Sequence, residues 1–303
     1  MKPKVYTALA DYRAACDELR ANGQRLGLVP TLGALHHAHQ ALMHAARRAA
    51  DRVAVTIFVN PTQFGPNEDF QRYPRDLEGD VATCEAAGVD LVFAPGISEI
   101  YPTGEATRVR VGGLTDNWCG KSRPGHFEGV ATVVTKLFAA SGPCSAVFGR
   151  KDYQQLQVVK RLTADLLLPV QIIEHPTQRD ADGLATSSRN RYLSPNERAR
   201  ALALPRALAA VGGAFLSGER SAVRLGQVVA GSLARAEIEL EYAALVDSRA
   251  LTPLASGEVA PGQGAVLIAA RVGATRLIDN IVLGVDAPPS VGPEGVAPAG
   301  AAR

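Results

Sequence analysis

The stretch RLGLVPTLGALHHAHQALMHAARRAADRVAVTIFVN, Arg25 to Asn60, decides the fold. RLGLVP (Arg25 to Pro30) is a short apolar run that breaks into a turn, and HQALMHAARRAA (His39 to Ala50) has helical spacing. RVAVTIFVN (Arg52 to Asn60) is a β-branched run that enters a Pro- and Gly-rich loop. Strand, helix and strand in close succession require parallel strands joined by a right-handed crossover.

The alternation continues outward. A helix around Leu77 to Ala87 leads to the strand VDLVFAP from Val89. A helix near Val130 to Ala140, the strand SAVFG, a helix from Tyr153 to Leu167 and the strand PVQIIEHP follow. The pattern predicts an α/β protein with a doubly wound parallel sheet over residues 1–176. Ligands in such sheets bind beyond the carboxyl ends of the strands, so the loops after Val29, Val59, Phe148 and Ile173 are the candidates. From about Pro176 the texture changes. A polar turn region is followed by an Ala/Arg-rich helix from Ser194 to about Ala214 and another near Ser221 to Ala236. The strand-like runs IELEYAALVD, GAVLIAARV and TRLIDNIVLG complete a smaller α+β domain, 177–286. Residues 287–303, almost all Pro, Gly, Ala and Val, read as a disordered tail.

The 303 residues carry 32 Lys and Arg against 30 Asp and Glu, a formal net charge of +2. No positive excess exists to attract a nucleic acid or an anionic membrane. Four widely spaced cysteines without a Cys-x-x-Cys pair read as reduced thiols in a cytoplasmic protein. No apolar run reaches spanning length, and the N-terminus lacks a signal-peptide core. Of six histidines, four fall between residues 36 and 44.

PTLGALHHAH, Pro30 to His39, lies at a strand-to-helix junction and puts His36 and His39 on one face of the opening turn. Imidazoles beside the free N–H groups and positive dipole end of a helix suit a polyphosphate. His-x-x-His can also chelate, but no Cys or acid in the cluster completes a zinc site. His37 and His44 point elsewhere and read as surface residues. FVNPTQF offers Asn60 and Gln63, neutral amides suited to hydroxyls or a carboxylate, although Asn-Pro-Thr-Gln alone is a turn. In FGRKDYQQ, Gly149 permits close backbone approach, Lys151 offers an ammonium and Asp152 a ribose acceptor; an ordinary charged first helical turn explains the spacing equally well. DGLATSSRN joins two hydroxyls and a guanidinium in one loop, and a simple turn does not account for Ser187, Ser188 and Arg189. In RPGHFEGV, His126 reads as a structural residue at a helix start.

Together these segments resemble the pantothenate synthetase (pantoate–β-alanine ligase) family of the nucleotidyltransferase superfamily, from about residue 20 to 285. The family patterns PTMGALHxGH, FVNPTQF, NEDFxRYPR, RPGHFxGV, FGxKDYQQL, DGLAxSSRN and TRLIDNI occur here in that order. The resemblance implies a Rossmann-like fold and an ATP-dependent condensation of (R)-pantoate with β-alanine through an enzyme-bound pantoyl adenylate, releasing AMP and pyrophosphate. It implies that Pro30, Thr31, Leu32, Gly33, His36 and His39 line the ATP, with His36 nearest the reacting phosphoryl group. Lys151, Ser187, Ser188 and Arg189 would hold phosphates, Gly149 and Asp152 the ribose, and Gln178 and Thr186 the base side. The catalytic set is then His36, His39, Lys151, Ser187, Ser188 and Arg189. Gln63 and Gln155 would bind pantoate, supported by Asn60, and Mg²⁺ would bridge the phosphates with help from Asp80. A homodimer with a C-terminal domain closing over the nucleotide is implied as well.

The chain departs from the pattern in places. Ala38 replaces the Gly of His-x-Gly-His, Leu32 the usual Met, and Arg150 an acidic or amide residue. Gln178 and Thr186 stand where apolar residues flank the adenine. Altered base recognition with retained chemistry is the expectation. The alternatives are an adenylyltransferase with another acceptor and a catalytically impaired paralogue.

Overall fold

Six parallel strands form the first sheet: β1 (Lys4–Tyr6), β2 (Leu26–Thr31), β3 (Arg52–Ile57), β4 (Leu91–Phe93), β5 (Cys144–Gly149) and β6 (Val170–His175), in the order β1-β4-β3-β2-β5-β6. The computed structural model describes residues 2–66 and 68–292. The strand order reverses at β2, which has β3 on one side and β5 on the other, so the switch-point crevice lies beyond Thr31 and Gly149. This is the doubly wound sheet the alternation predicts.

The helices of this region are α1 (Leu9–Ala21), α2 (His37–Ala49), α3 (Leu77–Ala86), the single turns α4 (Ile97–Ile100) and α5 (Cys119–Ser122), α6 (His126–Ser141) and α7 (Tyr153–Asp165). The four inner residues of β3 are all buried, as expected of a strand covered on both faces. Two of them, Val53 and Val55, pack with Val29, Met43, Ala46, Val92 and Val147 into one core. A fully buried side chain of Met43's size contributes roughly 2 kcal/mol by area. The pattern assigns no element before Arg25, yet β1 and α1 occupy that segment. The helical signal was the pair Tyr12 and Cys16, four residues apart and both fully buried.

The chain divides into two compact units, Met1–Arg150 with Gln154–His175, and Lys151–Tyr153 with Pro176–Arg303. The second unit contains α8 (Pro195–Ala201), α9 (Ala203–Leu216), α10 (Ala222–Leu233) and an antiparallel sheet of β7 (Glu239–Asp247), β8 (Gly264–Val272) and β9 (Thr275–Val282). Ala/Arg periodicity predicts one helix over 194–214, whereas the structure breaks it at Leu202. Pro205 supplies the reason: it has no N–H for the Ala201 carbonyl one turn back. Residues 195–216 contain an 18-residue window of mean hydropathy 1.3, although neither α8 nor α9 alone is that long. Their apolar side is spent inside this unit, where Ala201, Leu204, Leu208, Val211 and Phe215 build the core with Val266 and Ile268.

Residues 287–292 depart from the expected disordered tail, since Pro289 is buried and the Ser290 carbonyl lies 2.5 Å from where a Gly183 Cβ would stand. The remainder of that tail, 293–303, lies outside the described residues.

Candidate active site

The turn after β2 carries the densest chemistry of the first unit. The Thr31 hydroxyl donates to the Thr56 carbonyl at 2.7 Å and accepts the Gly33 N–H at 3.2 Å, so it stitches the strand end. Gly33 (φ +84°) and Ala34 (φ +52°) then take left-handed backbone, which reverses the chain into α2. Pro30 and Leu32 remain half-buried on this rim.

The two histidines come together as their spacing predicts, although only His39 lies within the helix. His36 is the N-cap of α2, with extended backbone, and His39 sits at the third helical position. The His36 N–H donates to His39 Nδ1 at 3.2 Å, and the His39 N–H returns to the His36 carbonyl at 2.8 Å. The ring centroids lie 4.0 Å apart, tilted by 32°. Because Nδ1 of His39 accepts, its neutral ring carries the proton on Nε2 and presents a donor there. No acid occupies the first turn of α2, which carries the positive end of the helix dipole. His37 and His44 are exposed, as expected.

Asn60 is completely buried and fully employed. Its Nδ2 donates to Gln63 Oε1 (3.0 Å) and to the Gly129 carbonyl (3.1 Å), while Oδ1 accepts from Thr62 Oγ1 (2.9 Å) and the Tyr101 hydroxyl (2.8 Å). Gly129 is required for this approach, since a Cβ there would stand 2.3 Å from the Thr62 carbonyl. The Gln63 carbonyl accepts from His126 Nδ1 at 2.8 Å and Arg123 Nη2 at 3.3 Å. Arg123 also binds both oxygens of Glu68 at 2.6 Å. Burial works against the Glu68 charge, but Arg123 outweighs it and holds the carboxyl below its ordinary range. Asn60, His126 and Arg123 therefore set where Gln63 lies, and sequence spacing alone did not reveal the last two as its supports.

At β5 the two glutamines separate. Gln154 is buried, donating to the Leu114 and Asn117 carbonyls at 2.8 and 2.9 Å and accepting the Cys119 N–H at 3.0 Å. Gln155 is half-buried and lies on the more open side. A Cβ on Gly149 would meet only Leu42, at 3.9 Å, so packing within the protein does not demand glycine there. Arg150 turns to Glu174 at 3.0 Å, which Lys160 also binds at 2.6 Å. Asp80 is 5% exposed and accepts the N–H groups of Ala34 and Leu35.

In the second unit, the Lys151 carbonyl accepts from Asn280 Nδ2 at 2.8 Å, and the Lys151 ammonium stands 3.7 Å from Asp152. Tyr153 donates its hydroxyl to the Ser248 carbonyl at 2.8 Å. The DGLATSSRN loop is organised by Asp180, which accepts from Thr186 Oγ1 (2.7 Å), Asn190 Nδ2 (3.1 Å) and Arg198 (2.8 Å). Burial opposes the Asp180 charge, yet Arg198 with Thr186 and Asn190 holds the carboxyl below its ordinary range. Thr186 is thus buried with its hydroxyl used inside the loop, and its N–H donates to the Gln178 carbonyl at 2.9 Å. Ser187 caps the following turn by accepting the Arg189 N–H at 3.2 Å, and Ser188 and Arg189 are half-buried. Next to Gln178, Arg179 forms a two-point ion pair with the buried Asp279, at 2.7 and 3.0 Å. Asp180 and Arg198 were not singled out by motif, and the partner of Asp279 lies 100 residues away.

Fold and site define an α/β protein of the doubly wound class that carries an imidazole pair at the carboxyl edge of its sheet. A family model described as pantoate-beta-alanine ligase matches residues 4–282. The pantothenate synthetase of Myxococcus xanthus is 54% identical over 286 residues, 94% of this chain and 97% of the relative. The crystal structure of pantothenate synthetase from Thermus thermophilus aligns with a TM-score of 0.86 at 47% identity, covering 92% of this chain and 99% of that one. Pantoate-beta-alanine ligase from Francisella tularensis, complexed with beta-gamma ATP and beta-alanine, aligns at 0.72 with 31% identity, over 92% and 97% of the two chains. The chain belongs to the pantoate–β-alanine ligase family.

Proposed function

We propose that this chain joins pantoate to β-alanine with ATP, through a pantoyl adenylate held on the enzyme. A pantoate carboxylate oxygen attacks the α-phosphorus and pyrophosphate leaves. The β-alanine amine then attacks the acyl carbon, loses a proton and displaces AMP. Adenylation already supplies the leaving group, so the protein aligns the reactants and stabilises phosphate charge.

The observation that carries this reading is the imidazole pair at the N-terminus of α2, 4.0 Å between centroids, with His39 Nε2 set as a donor by the His36 N–H. His36 and His39 serve the phosphoryl group that gains charge during adenylation. Gln63 has its Oε1 occupied by Asn60, which leaves its Nε2 as the donor for pantoate oxygens. Gln155 joins it there, and Asn60 acts only through Gln63. Lys151, Ser188 and Arg189 bind phosphates, with Ser187 shaping that turn, and Gly149 and Asp152 serve the ribose. Thr186 has its hydroxyl satisfied by Asp180, so base preference rests on Ala38 and Gln178. The homodimer and cytoplasmic location implied by the family belong to the same proposal.

Mg²⁺ accompanies ATP in this chemistry, but Asp80 does not fit as its protein ligand. Each carboxylate oxygen spends one of its two lone-pair sites on a backbone N–H group. The cavity beside it, about 250 Å³, is lined mainly by Leu32, Phe58, Phe70, Leu77 and Ile97, with Arg75 and Asp76 as the other charged groups. A cation that keeps several waters and near-octahedral oxygens is poorly served there. Among the described residues no three His, Cys, Asp or Glu side chains form a metal-holding group.

The test is AMP release by the purified protein with each substrate omitted in turn. AMP that requires both pantoate and β-alanine supports the ligase. AMP with another acceptor alone favours an adenylyltransferase, and no AMP despite pantoate binding favours an impaired paralogue. Running the assay with GTP in place of ATP reads base preference directly.

A further inference from the structure

The histidine turn is built around a buried carboxylate supplied from 45 residues away. Asp80 Oδ1 accepts the Leu35 N–H at 2.7 Å, and Oδ2 accepts the Ala34 N–H at 3.1 Å. Ala34 is held at φ +52°, a conformation that an alanine keeps only where its surroundings enforce it. Gly33, at φ +84°, fits because a Cβ there would lie 2.8 Å from Asp80 Oδ2. His36 follows directly, and its backbone N–H sets the His39 ring. Asp80 is itself fixed in the first turn of α3, whose N-cap Asp76 accepts the Gly79 N–H at 3.0 Å. The chain of contacts therefore runs from α3, through one carboxylate and two amides, to both imidazoles.

We propose that Asp80 is a positioning residue: it locks the Gly33–Ala34–Leu35 backbone so that His36 and His39 stand ready for the phosphoryl group. The motif YPRDLEGD is then part of the adenylation machinery through geometry instead of metal ligation. This inference rests on the role given to the histidines under the proposed function. An asparagine at this position is nearly isosteric, but it offers one carbonyl oxygen where two acceptors are needed, and its amide N–H groups oppose the remaining backbone donor.

The experiment compares Asp80→Asn with the wild-type enzyme in three readouts. Turnover in the AMP assay is expected to fall about a hundredfold, the scale of a slightly misplaced reacting group. The KM for pantoate stays within about twofold, because Gln63 and its supports are untouched. The Mg²⁺ concentration for half-maximal activity stays unchanged, and the imidazole NMR signals of His36 and His39 shift in the substrate-free protein. Unmoved imidazole signals, or a raised Mg²⁺ requirement as the main change, would overturn the proposal. Shifted signals with undiminished turnover would leave the positioning intact and refute the histidine role it serves. If Asp80→Asn does not fold, Gly33→Ala presses on the same carboxylate from the turn side; the same pattern is expected and the same results count against it.

Discussion

Asn280 donates a hydrogen bond from its side-chain amide to the main-chain carbonyl of Lys151, 2.8 Å across a separation of 129 residues. The TRLIDNI run near the end of the chain therefore holds the residue assigned to the nucleotide phosphates. Asn280→Ala is expected to lower stability by about 1 kcal/mol, since it removes a part-buried hydrogen bond. It should also raise the KM for ATP while leaving that for pantoate alone. Urea denaturation together with both KM values checks this; an unchanged ATP KM would separate Asn280 from the nucleotide.

Arg179 and Asp279 form an ion pair in which the carboxylate side chain is 1% exposed. Asp279→Ala strands a guanidinium in that environment and is expected to cost about 3–5 kcal/mol. Replacing both residues by leucine should recover most of the loss, because no uncompensated charge remains. Chemical denaturation of Arg179→Leu, Asp279→Leu and the double leucine variant measures the coupling.

Two half-buried carboxylates sit below their ordinary range, Asp180 held by Arg198 with Thr186 and Asn190, and Glu68 held by Arg123, both against the opposing effect of burial. A carboxylate with a depressed folded-state pKa adds stability that is complete above its unfolded value, roughly 4. That stability is lost as pH falls through the folded value. Stability should thus be flat at neutral pH and drop below about pH 4. Asp180→Asn should be less stable at pH 7 and show a shallower acid slope, as followed by denaturation at a series of pH values.

His126 and Arg123 both meet the Gln63 carbonyl. His126→Ala should therefore displace Gln63 and raise the KM for pantoate about tenfold, the equivalent of one lost hydrogen bond of ~1.4 kcal/mol. Turnover at saturating pantoate should change far less. Steady-state kinetics decides; a loss confined to kcat would place His126 elsewhere in the reaction.

Burial, with the nearby Asp80 charge, pushes the Cys84 thiol up to about 12, and burial with Cys16 does the same for Cys144. Both stay protonated at pH 8 and should react with a thiol reagent only after denaturation. Time courses of labelling with and without urea test this.

The parallel sheet was legible because its signals are local. The β-branched run of β3 and the apolar spacing of α2 are properties of adjacent residues, and so are the Pro-Thr-Leu-Gly turn and the imidazole pair. Helix ends were less legible: Pro205 breaks a periodic run because of a carbonyl one turn back, and β1 is too short to carry a pattern.

Which polar residues face a ligand and which hold the backbone was decided only in three dimensions. Gln154 and Gln155 are equivalent in sequence, yet Gln154 is consumed by carbonyls near residue 115 and Gln155 is not. The resemblance offers Asp80 as a metal ligand, and only the fold reveals that its two oxygens hold the N–H groups of Ala34 and Leu35. Thr186 reads as a polar intrusion beside the base until its hydroxyl is found on Asp180. The physical reason is common to all three. Composition and spacing record which donors and acceptors a chain owns, whereas a buried polar atom must be matched, and its partner is chosen by the packing of distant segments.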